Sequence, residues 1–349
     1  MAIFAFQLLD SLVGRNNFEY VLRSPWKREQ LPERLRAKDF EILTIPRPPF
    51  LLLDIFAKWV TFRRFCRRKG IDVVVNLDPY GSPAGGAARL LIVHDLYFRA
   101  IPKRIPRSVV LRNDLILRLM LSTSSEIVTV SDSTRHDLER WYPQARERTT
   151  TVHSATSLSA ISADGPPLIE KPYVLAVGNA TPNKNFAVLA KAMATVHWAV
   201  PDIAVVHVGA DPDETIASTL NGLGSSLPVI RFEGIDEAKL TNLYRHASCL
   251  CVPSLVEGFC LPILEAQSLG CPVICSDRPA MPEIAGTGAL LFDPTNPDAL
   301  AKTLLEVLQN PGTSQSLISA GRENSARFSW DTAACQYETI FRRLIERGP

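Results

Sequence analysis

Two glutamates, Glu257 and Glu265, stand eight residues apart in the stretch Pro253-Ser-Leu-Val-Glu257-Gly258-Phe259-Cys260-Leu261-Pro262-Ile-Leu-Glu265-Ala266. The stretch reads as a loop that leaves an apolar strand and opens a helix: Pro262 suits a first turn, and Leu261, Leu264 and Leu269 form an apolar stripe behind it. Free N–H groups at such a helix start attract a phosphate or pyrophosphate. A carboxylate on either side of them can accept hydrogen bonds from sugar or ribose hydroxyls without any change in its acidity, given only ordered geometry. Alone, each Glu is more simply a surface or capping residue. The pair in this setting is a candidate site.

A second element is Val177-Gly178-Asn179-Ala-Thr-Pro182-Asn183-Lys184-Asn185-Phe186, where a strand ends and a helix begins near Asn185. An ammonium at Lys184, beside that helix start, would neutralise a diphosphate leaving group as charge develops on it. Composition alone would make Lys184 an ordinary loop lysine. In the first half, Leu91-Ile-Val-His94-Asp95-Leu96 sets His94 at the carboxyl end of a strand, and Val130-Ser131-Asp132-Ser133 reads most economically as a helix cap.

The elements that must hold these groups follow from the alternation of short β-branched runs with stretches of helical period, the pattern of βα units and parallel sheets. Strands are expected at Phe40–Ile45, Ile71–Leu77, Leu90–His94 and Glu126–Ser131, and then at Tyr173–Val177, Ile203–Val208, Val229–Phe232, Cys249–Pro253, Pro272–Ser276 and Ala289–Phe292. Three helical patterns close the chain: Pro297–Gln309, Ser314–Phe328 and Trp330–Arg347, the last capped near Asp331. With 349 residues the chain is too long for one hydrophobic core. The expected fold is α/β, with two Rossmann-like doubly wound domains facing a cleft. Residues 1–160 form the first domain and 161–330 the second, while 331–349 form a helix that packs back toward the first. Ser157–Pro172, rich in Ser, Ala, Gly and Pro, reads as the linker, with the boundary near 165.

The net charge of +2 hides an asymmetry. Residues 1–165 carry 25 Lys and Arg against 17 Asp and Glu, and the remainder 13 against 19. Arg63, Arg64, Arg67, Arg68 and Lys69 follow the apolar Phe56, Trp59, Val60 and Phe62, an arrangement suited either to an anionic membrane surface or to a solvated helix face. No recognition motif accompanies this charge, which argues against nucleic-acid binding. No apolar run approaches the length of a membrane span, and Met1–Leu12 lacks the basic flank and cleavage site of a signal peptide, so a cytoplasmic chain is expected, with possible peripheral contact at the inner membrane face. The seven cysteines lie mostly in apolar runs without a paired CxxC and read as buried free thiols.

The segment around Glu257 and Glu265 resembles the E-x7-E signature of family 4 retaining glycosyltransferases (glycosyltransferase group 1 type), two-domain proteins of the GT-B architecture. Gly270-Cys-Pro-Val-Ile-Cys-Ser-Asp-Arg-Pro-Ala-Met-Pro-Glu283-Ile-Ala-Gly286, Phe292-Asp-Pro294 and Phe328-Ser-Trp330 continue the likeness, which covers about residues 89–345. The resemblance implies that Glu257 contacts the hydroxyls of the transferred sugar, that the backbone of Gly258, Phe259, Cys260 and Leu261 meets sugar and diphosphate, and that Glu265 binds the ribose. Gly178, Asn179, Asn183 and Lys184 would form the donor-phosphate loop, and His94 would lie beside the donor sugar. It also implies a hexosyltransferase that moves a hexose, with mannose from GDP-mannose as a candidate, from a nucleoside-diphosphate sugar to a glycan or lipid-linked glycan in surface polysaccharide synthesis, with retention of configuration.

The sequence holds no aspartate-rich DxD triplet, so neither a metal nor any other cofactor is expected. Two departures stand out: Asn where many members carry Arg at 179 or 183, and Cys260 where Gly is usual, a strained choice if the backbone there needs positive φ. The family's opening strand and Gly-rich loop are absent, and Met1–Leu12 looks like the first helix. The first domain is therefore expected to lack its first strand, either because the start is misassigned or because the copy is impaired. A catalytically silent, glycan- or partner-binding subunit is the alternative reading.

Overall fold

A computed structural model describes residues 2–44, 62–83, 87–161 and 165–348. The chain divides into two compact units, one of Met1–Leu96, Arg107–Ser154 and Ser329–Pro349, the other of Tyr97–Pro106 and Ala155–Phe328. Each is a Rossmann-like α/β domain whose strands pair in parallel. Ile45, Phe56, Trp59, Val60 and the middle of the proposed linker lie outside the described residues.

The first unit begins with helix α1 (Ala2–Val13), followed by β1 (Val21–Ser24), α2 (Glu33–Arg36), β2 (Glu41–Thr44), α3 (62–69), β3 (Val73–Asn76) and β4 (Ala88–Val93). Helix α4 (Tyr97–Ala100) belongs to the other unit; α5 (Arg107–Thr123), β5 (Glu126–Thr129), α6 (Asp132–Trp141) and β6 (Thr149–Thr151) then complete the first unit's α/β run. Strands β3-β4-β5-β6 form a four-stranded sheet, and among the described residues β1 pairs only with β2. Both β1 and β6 were missed by periodicity: Val-Leu-Arg-Ser and Thr-Thr-Thr are too short and too polar to show alternation. Among the described residues the first element is a helix, as the sequence suggested, and Ser131 caps α6 by accepting from Thr134 N at 3.0 Å.

The last helix, α14 (Trp330–Arg347), is part of this unit. Its cap is Ser329, which accepts from Asp331 N at 3.2 Å, two residues before the expected Asp331. Its inner face carries the buried Ala333, Ala334, Tyr337, Ile340, Phe341 and Leu344. Polar contacts fix it at both ends. Trp330 Nε1 donates to Gln7 of α1 at 3.1 Å, Glu338 accepts from Asn17 at 2.9 Å and pairs with Arg15, and Arg343 and Arg347 both reach the buried Glu126 that opens β5.

In α3 the described aromatic residues face inward: Phe62 and Phe65 pack on a cluster of Cys66, Val74 and Ala87, while Arg63, Arg64, Arg67, Arg68 and Lys69 are exposed. Within the described residues this segment is a solvated helix face over a small core. No described helix is long and apolar enough to cross a membrane.

The second unit runs β7 (Tyr173–Val177), α7 (Phe186–Ala199), β8 (Ala204–Val208), α8 (Thr215–Gly222), β9 (Val229–Phe232), α9 (Glu237–His246), β10 (Cys249–Val252), α10 (Leu261–Ser268), β11 (Val273–Ser276), α11 (Met281–Ala285), β12 (Ala289–Phe292), α12 (Pro297–Gln309) and α13 (Pro311–Ser325). Its sheet order is β12-β11-β10-β7-β8-β9. The chain therefore reverses direction across the sheet between β7 and β10, and the carboxyl ends of those two strands are where such sheets open a crevice for ligands. Apolar runs such as Tyr173–Val177 and Cys249–Val252 are buried almost throughout, as strands covered on both faces must be. Six cysteines are buried free thiols; Cys335 is exposed, an exception to the expectation.

Because Leu344 of α14 is 1% exposed, Leu344→Ala is expected to cost about 3 kcal/mol of the first unit's stability. Hydrogen exchange would report lost protection in α1 and β3–β5 with the strands of the second unit unchanged. Equal losses in both units would show that α14 does not belong to the first alone.

Candidate functional site

The loops that leave β7 and β10 are tied to each other by side chains. Lys184 and Glu257 form an ion pair, Nζ to Oε1 2.8 Å, and both are largely buried at 16% and 12% exposure. Ser254, fully buried, donates its hydroxyl to the same Glu257 oxygen at 2.6 Å, and its own carbonyl accepts from Ser276 Oγ on β11 at 2.6 Å. Burial works against the charge of Lys184. Attraction to Glu257, and more weakly to Glu265, outweighs it and raises the ammonium's pKa above its ordinary value, so Lys184 is a cation at any physiological pH.

The loop around Lys184 is shaped by left-handed residues. Gly178 has φ +123°, and a side chain there would meet Lys184 Cε at 3.0 Å. Asn185, at φ +55°, starts α7 and spends its amide on the carbonyls of Pro253 and Pro294 at 3.2 and 2.9 Å. Asn183 donates to Val256 O at 3.3 Å and accepts from Thr181 at 2.7 Å, while Asn179 accepts from Ala210 N at 3.0 Å. The two asparagines that stand where an arginine was expected therefore staple loops together, and Lys184 holds the charge of this loop.

Glu257, Gly258 and Phe259 lead into Cys260, which caps α10 at φ +68° and is 5% exposed. The left-handed geometry anticipated for position 260 is present, and a thiol-bearing residue occupies it at a cost of about 1–2 kcal/mol relative to a relaxed conformation. Leu261 is the first residue of α10 and Phe259 packs edge-on against Phe328 at 5.9 Å. Beneath the helix, Gln267 donates to Ala285 O and Gly288 O and accepts from Asn324 of α13, so the direction in which α10 points is fixed from behind.

Glu265 lies one turn into α10, 8% exposed, and accepts from the Tyr244 hydroxyl at 2.7 Å. Burial lifts its pKa from 4.5 to about 7, against the opposing help of Tyr244 and Lys184. Burial, reinforced by the Glu265 charge, pushes the Tyr244 phenol well above its usual range. Tyr244 was not foreseen, since a tyrosine in the apolar stripe of a helix looks like core.

His207 also escaped the sequence reading, although a histidine within Ala-Val-Val-His-Val is an anomaly in a buried strand. It is 1% exposed, donates from Nε2 to Gly178 O at 2.8 Å and stands edge-on to Phe186 at 4.9 Å. His207 thereby holds the glycine against which Lys184 rests.

In the first unit, His94 donates from Nε2 to Leu77 O at 2.9 Å and packs against Phe4 at 4.6 Å. Burial lowers its pKa to about 4, which leaves a neutral ring at pH 7 whose Nδ1 is an acceptor. A neutral ring of this kind can accept a hydrogen bond but has no acidic proton to deliver at pH 7.

Two family descriptions match: "Glycosyl transferases group 1" over residues 162–324 and "Glycosyltransferase Family 4" over residues 1–159. O-antigen chain mannosyltransferase B of Escherichia coli is 29% identical over 265 residues, 72% of this chain and 69% of that one. The phosphatidyl-myo-inositol mannosyltransferase of Mycobacterium leprae is 29% identical over 226 residues, 63% of this chain and 60% of its own length. Among solved structures, sucrose-phosphate synthase from Thermosynechococcus elongatus superposes with a TM-score of 0.78 at 21% identity, covering 99% of this chain and 93% of that one.

The buried Glu265 carries a pH signature. With its folded-state pKa above the ordinary value, the folded chain keeps a proton that the unfolded chain has released; this stabilisation is complete below about pH 4.5 and is lost as the pH rises through about 7. At 1.36 kcal/mol for each tenfold change in acidity, the loss is at most ~3 kcal/mol. Urea unfolding of Glu265→Gln beside the unaltered chain should show the variant gaining by about 1–3 kcal/mol between pH 4.5 and 8. Parallel pH profiles would contradict the assignment.

Proposed function

From the premise that the chain belongs to the family 4, group 1 glycosyltransferases, we propose that it transfers a hexose with retention of configuration from a nucleoside-diphosphate sugar bound in the second unit. It is a nucleotide-sugar-dependent hexosyltransferase of glycan or lipid-linked glycan synthesis. The observation that carries the donor assignment is the buried Lys184–Glu257 pair at the carboxyl ends of β7 and β10, next to the start of α10.

In this reading the diphosphate takes over Lys184 and the N-terminal field of α10, and Glu257, released from the ammonium, accepts from hydroxyls of the sugar. Glu265 and Tyr244 receive the ribose. The acceptor oxygen bonds to the anomeric carbon on the face from which the diphosphate departs; the anomeric C–O bond breaks as it forms. The acceptor's proton passes to the leaving phosphate oxygen, so no protein carboxylate needs to become a covalent nucleophile. Negative charge grows on the leaving group beside Lys184, which is where a fixed cation lowers the barrier. No metal is assigned a part in the step.

Relatives named as mannosyltransferases, one of them acting on phosphatidyl-myo-inositol, support a mannosyl donor and a lipid-linked or polysaccharide acceptor. We assign the acceptor to the first unit, where neutral His94 would hold a sugar hydroxyl, and we place the enzyme at the cytoplasmic face of a membrane.

Calorimetric titration with GDP-mannose, UDP-glucose and a TDP-sugar tests the donor assignment. One of them should bind, and Lys184→Ala should weaken it by about 100-fold, as expected for loss of a charge-assisted contact in a shielded site. Glu257→Gln should leave binding of the free nucleoside diphosphate close to normal while abolishing transfer. Absence of binding by every donor would favour a catalytically silent subunit, a reading to which the strained Cys260 already lends some weight.

A further inference from the structure

Helix α5 of the first unit has an inner face of buried Leu117, Met120 and Leu121, and an outer face on which three leucines are left in water. Leu111, Leu115 and Leu119 are 61%, 59% and 45% exposed and recur every fourth residue, so they form one continuous stripe. At 3.6 residues per turn the stripe is about 80° wide, with Arg107 and Arg118 along one border and Arg112 along the other. All three arginines are exposed. Arg118 is held in place by Asp114 at 3.0 Å and by the ring of Tyr142, yet keeps half of its surface in solvent. The elements expected from the sequence include no helix here, and only their exposure sets the three leucines apart from the buried Leu117, Met120 and Leu121 of the same helix.

We propose that this face of α5 is a docking surface for an anionic lipid bilayer. Isolated exposed leucines need no explanation, but three in a row on a single helix face form a patch of the kind that marks an interaction site. The partner must offer hydrocarbon to a narrow central stripe and negative charge to both of its edges. The headgroup boundary of an anionic leaflet has that layout, with acyl chains a few ångströms beneath phosphates. A second copy of the chain does not: because arginine lines both borders, laying this face on its own image sets arginine against arginine along each edge. The surface also differs from the one suggested by charge alone, since the described aromatic residues of α3 are packed inside.

The inference deepens the functional proposal by naming where a lipid-linked acceptor is met, and it can fail independently of the donor site. The test is co-sedimentation of the full chain with vesicles of phosphatidylcholine, with and without about one-third phosphatidylglycerol, compared with Leu111→Gln/Leu115→Gln/Leu119→Gln and with Arg107→Gln/Arg112→Gln. The unaltered chain should bind the anionic vesicles, the leucine variant should bind about tenfold less, and the arginine variant should lose its preference for anionic over neutral lipid. All five positions are at the surface and the arginine pair is independent of the leucine substitutions, so a folding defect in one variant leaves the other to decide. Equal sedimentation of all three proteins would overturn the proposal. So would a dimer of the unaltered chain that the leucine variant dissociates, which would make the face a self-interface. Donor titration of the leucine variant should match the unaltered chain; donor binding lost in both would count against the functional reading instead.

Discussion

The candidate site of the second unit is organised around one buried ion pair, Lys184 with Glu257. Neither residue lies on a regular element; each is carried by a loop at the end of a central strand, and the pair joins two loops that Asn183 and Asn185 also tie together. Burying two opposite charges gains little on its own, since desolvation offsets much of the attraction, but removing either one leaves the other stranded. A ligand that supplies a new anion for Lys184 and new donors for Glu257 can replace the pair without that penalty. The contact thus keeps both groups ordered and largely shielded from water.

The surrounding geometry serves this arrangement at several removes. Gly178 leaves room for the lysine stem, His207 fixes Gly178 from below, and Asn183 and Asn185 lock the same loop onto the neighbouring strand's loop. On the other side, Ser276 orders Ser254, which orders Glu257. Gln267 and Asn324 set the axis of α10 from behind. These contacts are hydrogen bonds to backbone carbonyls or between short side chains, so they set positions without adding charge to the site.

Much of this was legible in the sequence, and the parts that were not share a physical cause. The strands of the second unit announce themselves because a parallel strand buried on both faces must be apolar throughout, and the carboxylates and lysine appear at the ends of such strands, where only a ligand or a turn asks for charge. Cys260 was recognisable as an oddity because Gly is usual at that place in the sequences it resembles, and the structure supplies the reason in a left-handed backbone. Tyr244, His207 and the loop-stapling role of the asparagines were hidden because their partners lie 21 to 73 residues away, and pairing across that distance leaves no periodic trace. In the first unit β1 and β6 were invisible because they are short and only partly buried, and the exposed leucines of α5 went unremarked because hydropathy cannot tell which side of a helix has a neighbour.

The return of residues 329–348 to the first unit bears on how the protein comes into being on the ribosome. The second unit, although later in sequence, has its whole α/β run in hand once Phe328 has emerged. The first unit must wait, its α1 face and the buried Glu126 uncovered, until residues 329–348 have emerged as well. Synthesis order and completion order are therefore inverted: the half that is made first is finished last. Premature termination anywhere in α14 would spare the second unit and leave the first one's α1 face and Glu126 uncovered for quality control to recognise.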